Sequence, residues 1–219
     1  MVSSRKDALV NGEVYHVFTK SIAGYTVFND DSEYLRMLDT LRYYQRESPA
    51  IKYSRYIKLI DENALYQDEL RNLEKLVDII AYCLMPTHIH CVLRQLKDNG
   101  ITIFMSNTLN SYTKYFNSKH KRKGPLWQGR FKNVLINTQE QLLHMTRYLH
   151  LNPVTSYLTN KAEDWPVSSY SEYINRNKNE EICYFRDVLQ IEPDSYKKFV
   201  NQRASYQRDL ACIKNLIME

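Results

Sequence analysis

Ala81-Tyr82-Cys83-Leu84-Met85-Pro86-Thr87-His88-Ile89-His90-Cys91-Val92-Leu93 is the stretch whose reading decides the fold. Its flanks are apolar and β-prone, which predicts a buried strand, a Pro-Thr break and a second strand. Side chains at i and i+2 of a strand point to the same face. His88 and His90 would therefore present two imidazoles side by side, with Ile89 turned to the opposite face. Two neutral imidazoles at that spacing hold a divalent metal if a third group reaches them. A bare His-x-His is a short pattern, however, and two polar residues satisfied by water or backbone at a strand entrance also explain it. The choice depends on what lies downstream.

Downstream stands Arg147-Tyr148-Leu149-His150-Leu151-Asn152-Pro153-Val154. It continues a helix that starts after Thr138, a good N-cap, with Leu142, Leu143 and Met145 at apolar positions. The helix should stop near Asn152, because the residue before a proline is pushed out of the α region. His144, Tyr148 and Asn152 fall at i, i+4 and i+8 and share one face. A tyrosine and an amide on that face could approach the His-x-His strand together, the hydroxyl as nucleophile and the amide oxygen as third metal ligand. Taken alone, a core tyrosine and a helix-capping asparagine account for them better.

Together these runs resemble the two signatures of the HUH single-tyrosine transposases, a group that includes insertion-sequence and REP-associated tyrosine transposases. Three further stretches fit the same family in the same order. Val14-Tyr15-His16-Val17-Phe18 resembles its first strand, followed by the helix start Phe28-Asn29-Asp30-Asp31-Ser32-Glu33-Tyr34. Gly124-Pro125-Leu126-Trp127-Gln128-Gly129-Arg130-Phe131 resembles its Gly-x-Leu-Trp-Gln-Gly-Arg block, and Asp164-Trp165-Pro166-Val167-Ser168-Ser169-Tyr170 its closing Trp-x-x-Ser-Ser element. The resemblance runs over about residues 10 to 176. Thr87, Lys20-Ser21 and Thr155-Ser156-Tyr157 depart from the family pattern. They leave the catalytic constellation intact and bear on DNA-sequence preference.

The resemblance implies a DNA transposase, a single-strand endonuclease that cleaves and rejoins DNA through a covalent 5′-phosphotyrosine with a free 3′-hydroxyl. Tyr148 would be the nucleophile, and His88, His90 and Asn152 would hold Mg²⁺ or Mn²⁺. A neutral amide oxygen suits those ions better than a tight zinc site. A tyrosine, with a pKa of about 10, needs such a metal to neutralise the developing charge. His144 shares the helix face and is a candidate for proton transfer. His16, His120 and His150 fit structural or surface roles, and Tyr115 is a rival nucleophile without the Asn-Pro context. Two other classes stay open: a catalytically silent binder of single-stranded or hairpin nucleic acid on the same fold, and a metal-dependent hydrolase using water.

The net charge is a modest +5, but no acidic residue occurs from Ser111 to Lys132. Lys114, Lys119, Lys121, Arg122, Lys123, Arg130 and Lys132 lie there, interleaved with Tyr112, Tyr115, Phe116 and Trp127. Cations that track phosphates beside aromatics that stack bases make a single-strand binding surface. These residues, Trp127 among them, and Arg147 are the candidate DNA contacts. The four cysteines, Cys83, Cys91, Cys183 and Cys212, lack metal-site spacing and suit reduced thiols in a cytoplasmic protein. No long apolar run follows the first residues, so neither a signal peptide nor a membrane span is expected. Monomer and homodimer both stay open, as does an active site built from one chain or two.

The predicted order is a strand from Glu13 to Lys20, a helix from Asp30 to Gln45 capped by Asp31 or Ser32, paired strands from Leu76 to Met85 and His88 to Gln95, a helix from Ile101 to Asn117, a basic loop, a strand from Arg130 to Ile136, and the Tyr148 helix. Residues 51–57 could be strand or helix, Asp61 to Leu73 looks helical, and part of 47–74 is an insertion relative to the family. The plan is α+β, a ferredoxin-like antiparallel sheet covered by helices. Residues 1–176 form the catalytic domain. A linker near Asn175 to Asn179 leads to a charged C-terminal extension, 177–219, with short helices at Phe185–Leu189 and Tyr196–Ile217.

Overall fold

The computed structural model describes residues 7–47, 51–62, 73–176 and 182–203. Four strands, β1 (Val14–Lys20), β2 (Val77–Met85), β3 (His88–Gln95) and β4 (Lys132–Ile136), form one sheet in the order β2-β3-β1-β4 with every pairing antiparallel. The described helices are α1 (Asp31–Tyr44), α2 (Tyr53–Glu62), α3 (Gly100–Lys119), α4 (Gln139–Thr155), α5 (Tyr170–Tyr173) and α6 (Pro193–Asn201), with short 3₁₀ turns at Ile22–Gly24 and Ala162–Asp164. The predicted α+β ferredoxin-like plan is the one adopted. β1 and β3 hold the centre, so the first strand of the chain and the His-x-His strand are hydrogen-bonded neighbours.

Each local signal has a visible cause. Asp30, rather than Asp31 or Ser32, caps α1: its carboxylate accepts from the Glu33 amide at 3.1 Å, and Glu33 reaches back to the Asn29 amide at 2.7 Å. The ambiguous 51–57 stretch enters α2, while the helical expectation for Asp61 to Leu73 lies largely outside the described residues. α3 starts at Gly100 because nothing larger fits there; a Cβ would lie 2.3 Å from the Leu76 carbonyl oxygen. Thr138 caps α4 as expected. That helix does not stop at Asn152 but runs through Pro153 to Thr155. Pro153 sits in the last turn, where it forgoes a single backbone bond, and Asn152, Pro153 and Val154 gain burial by staying helical.

The sheet has one side packed on α3, which in turn packs against α1, and one side packed on α4. β2 is buried at every residue. Its outer edge is closed by the Trp-x-x-Ser-Ser element, through Leu84 N–H to Val167 O and Ser169 N–H to Tyr82 O, both at 3.0 Å. The Trp165 indole also donates to Leu84 O at 3.0 Å. An unpaired strand edge is thereby covered. The described part of the C-terminal extension is not a loose appendage. Ile182, Cys183, Phe185, Leu189, Tyr196 and Val200 are buried in the common core. Residues 185–189 form a turn rather than the expected helix, closed by Leu189 N–H to Phe185 O. The predicted Tyr196–Ile217 helix is described only as α6, and residues beyond 203 lie outside the described set.

Candidate active site

Register builds the site. His16 pairs across from Val92, Phe18 from His90 and Lys20 from His88. Directly opposed residues of an antiparallel pair share a face, so His16, Phe18, Lys20, His88 and His90 lie together. On β4, Lys132 and Val134 join them, opposite Phe18 and His16. α4 packs on β2 and β3 but leaves the β1–β4 half of this face open: Lys20, Lys132 and Val134 are exposed and Phe18 is half-buried.

Tyr148 reaches this face from α4. Its ring meets His90 and His16 edge-on, with centroids 6.0 and 6.2 Å apart, and the residue keeps 42% of its surface exposed. The His88 and His90 rings are 5.0 Å apart and nearly perpendicular. The expectation that His88, His90 and Tyr148 meet is therefore met within one chain. His16, read from sequence as structural or surface, is buried inside the same cluster, its Nε2 2.9 Å from His90 Nδ1. Nothing in the linear sequence pairs positions 16 and 90; only strand order does.

The electrostatics follow from burial. Desolvation lowers His16 to about 4, and lowers His88 to about 4 with help from Lys20. His90 falls to about 2 through desolvation, then His16, His88 and Lys20. All three imidazoles are neutral at pH 7, the state that donates a lone pair. Burial raises the Tyr148 hydroxyl; the Asn152 amide one turn along opposes that rise, and Cys83 adds to it. Asn152 is itself buried, and its amide nitrogen, near enough to the Tyr148 oxygen to lower it, completes no full hydrogen bond. Such an orphan is costly unless something else completes it. The Thr87 hydroxyl lies 3.0 Å from His88 Nδ1, which leaves Nε2 of that ring free. Among the described residues, no three His, Cys, Asp or Glu side chains converge on a metal position. Two neutral imidazoles therefore offer lone pairs to a weakly held Mg²⁺ or Mn²⁺ whose other positions are oxygens, and not a closed protein cage; the orphaned Asn152 N–H is a donor and suits an anion's oxygen instead.

Other expected site residues lie elsewhere. His144 is 2.8 Å from Arg147 and edge-on to Phe199, so it belongs to the contact between α4 and α6 and not to the Tyr148 hydroxyl. Arg147 is corrected from a DNA contact to a core residue: it is buried, with its guanidinium 4.0 Å over the Phe199 ring. Trp127 is likewise no stacking platform, being buried with its indole N–H directed to Leu109 O at 3.4 Å. Arg122 clamps its own loop through Asn117 and Pro125. Lys119 is paired with Asp30 and Glu33. Lys114 lines a groove of about 850 Å³ beside Arg36, Lys52 and Tyr115, on the α3 side of the sheet and away from Tyr148. Lys121, Lys123, Arg130 and Lys132 are exposed. His120 and His150 are structural as expected: His120 contacts Glu33, and His150 is fully buried between Tyr196 Oη at 2.7 Å and Ser169 Oγ at 2.8 Å. Tyr115 lies on α3, outside the cluster.

Comparison with known proteins agrees with these motifs. Residues 66–152, which contain both histidines, Tyr148 and Asn152, match the family model described as "Transposase IS200 like". A curated protein of Haemophilus influenzae, assigned as a REP-associated tyrosine transposase, is 32% identical over 104 residues. That match covers 42% of this chain and spans 58% of the relative's length. A solved structure of a REP-associated tyrosine transposase bound to a REP hairpin superimposes with a TM-score of 0.51 at 18% identity, covering 80% of this chain and 87% of that one. At that identity the superposition speaks for the fold. Over residues 66–152 the chain is thus similar to the IS200-like transposases, and over 104 residues to a REP-associated tyrosine transposase.

Proposed function

We propose that this relative of the IS200-like transposases is a metal-dependent enzyme that cleaves and rejoins single-stranded DNA through Tyr148. The observation that carries the reading is the edge-on approach of the Tyr148 ring to His90 and His16 at a half-open sheet face. The Tyr148 oxygen attacks the scissile phosphorus and gives up its proton. The 3′-oxygen leaves as a hydroxyl, and the 5′-phosphate stays on the tyrosine. The new phosphodiester keeps the energy of the old one, so a 3′-hydroxyl can later reverse the step without ATP.

His88 and His90 would hold Mg²⁺ or Mn²⁺ through their free ring nitrogens, with Asn152 turning its amide oxygen toward the ion. The ion would supply Lewis-acid polarisation of the phosphate. A protonated, partly buried Tyr148 is a weak nucleophile, which is why the reading needs that help. The open β1–β4 half of the face suits an approaching strand: Lys20 and Lys132 offer cations to phosphates, and Phe18 offers a half-buried ring. DNA, as a single strand or hairpin, is the proposed partner. Among the described residues no helix is long and apolar enough to cross a membrane.

The test is incubation with labelled single-stranded oligonucleotides and Mn²⁺, resolved on a denaturing gel. A protein–DNA band that survives denaturant and disappears in Tyr148→Phe supports the reading. Cleavage that persists in Tyr148→Phe without an adduct would make water the nucleophile. No cleavage across a broad oligonucleotide panel would favour a catalytically silent nucleic-acid binder.

A further inference from the structure

We infer that His16 is a positioning residue that holds His90 in the one tautomer able to bind a metal through Nε2. The inference rests on the metal site proposed above. A neutral imidazole has one N–H donor and one lone-pair acceptor. The 2.9 Å contact between His16 Nε2 and His90 Nδ1 therefore allows two arrangements. If His16 donates, His90 carries its proton on Nε2, its Nδ1 lone pair is already used, and the ring has nothing left for a metal. If His90 Nδ1–H donates, His16 Nε2 accepts, and His90 Nε2 presents a free lone pair. Only the second arrangement is compatible with metal binding at His90. It requires His16 to carry its own proton on Nδ1.

Packing keeps the pair in this contact. The two rings lie within 13° of parallel, with centroids 5.2 Å apart, as an in-plane contact between ring nitrogens requires, and both residues are buried. Phe18 stacks against His16 at 5.0 Å and His90 at 5.9 Å. Tyr148 makes a nearly perpendicular ring contact with each of them. His16 is the diagonal neighbour of His90, since its direct partner is Val92, and diagonal positions are within reach of ring side chains. Outer partners of this kind commonly set the tautomer of a ligating histidine, and their loss weakens metal binding about 10- to 100-fold.

Long-range ¹⁵N–¹H correlation spectra of the metal-free protein report both tautomers directly. The expected result is Nδ1–H for His90 and Nδ1–H for His16. A His90 found protonated on Nε2 overturns the inference, since the ring's one lone pair would then lie on Nδ1. A second readout is Mn²⁺ affinity without DNA, measured by calorimetry. His16→Phe should weaken it about 10- to 100-fold. His16→Gln, whose amide oxygen can accept from His90 Nδ1–H, should restore most of it while keeping a polar group in the site. Wild-type affinity in His16→Phe, together with weakened binding in His88→Ala and His90→Ala, overturns the role of His16 and leaves the metal site standing. Unchanged binding in all three variants overturns the metal site itself.

Discussion

Replacing His150 by Gln should remove about one histidine's worth of acid sensitivity from the whole fold. His150 is fully buried on α4, and desolvation lowers it from 6.5 to about 3. Above pH 6.5 the ring is neutral in both the folded and unfolded chain, and its contribution to stability is complete. As the pH falls below 6.5, the unfolded chain takes up the proton first, so stability is lost until the folded ring titrates near 3. Between pH 7 and pH 5 this one group removes about 2 kcal/mol, a large share of a typical domain's roughly 5–15 kcal/mol. The assay is urea unfolding of wild type and His150→Gln at both pH values, read as each protein's own difference. The substitution also disturbs the bonds to Tyr196 and Ser169, but that cost is common to the two pH values. His16 and His90, lowered for the same reason, titrate in both proteins and cancel. A variant that loses as much stability as wild type between pH 7 and pH 5, to within about 0.5 kcal/mol, would refute the assignment of a neutral buried His150.

Lys20→Ala with Lys132→Ala should lower the slope of log affinity against log salt for a single-stranded oligonucleotide by about 1.4, roughly 0.7 for each lost phosphate contact; an unchanged slope would place the strand elsewhere. Arg147→Ala should leave that slope as it is and destabilise the packing of α6 on α4 by about 1–2 kcal/mol, seen as a lower urea midpoint. Gly100→Ala should cost about 1–3 kcal/mol by pushing a Cβ into the Leu76 carbonyl, a drop of roughly 3–10 °C in a thermal scan. Tyr148→Phe should unfold within about 0.5 kcal/mol of wild type, so that any loss of its adduct reports chemistry and not folding.

The sequence alone determined the four strands and the helices α1, α3 and α4 and their order, because hydrophobic period, caps and turn residues are local; it left 51–57 undecided and expected a helix where 185–189 form a turn. It put His88 and His90 on one face, since that follows from the two-residue period of a strand, and it put Tyr148 and Asn152 one turn apart on a helix. Local rules failed where tertiary burial overrode them: α4 runs through Pro153 because the core gains more from Asn152, Pro153 and Val154 than one missing backbone bond costs. Charge pattern failed too. Lys119 and Arg147 read as free cations, yet one is paired with carboxylates and the other lies on an aromatic ring. Only the tertiary structure could bring His16 beside His90, because which strand neighbours which is set by the packing of the whole sheet. The same packing left half of the site face open and tied His144 and His150 to the C-terminal segment. Side-chain identity was legible in the chain; neighbourhood, and with it the protonation state of each histidine, was decided by the fold.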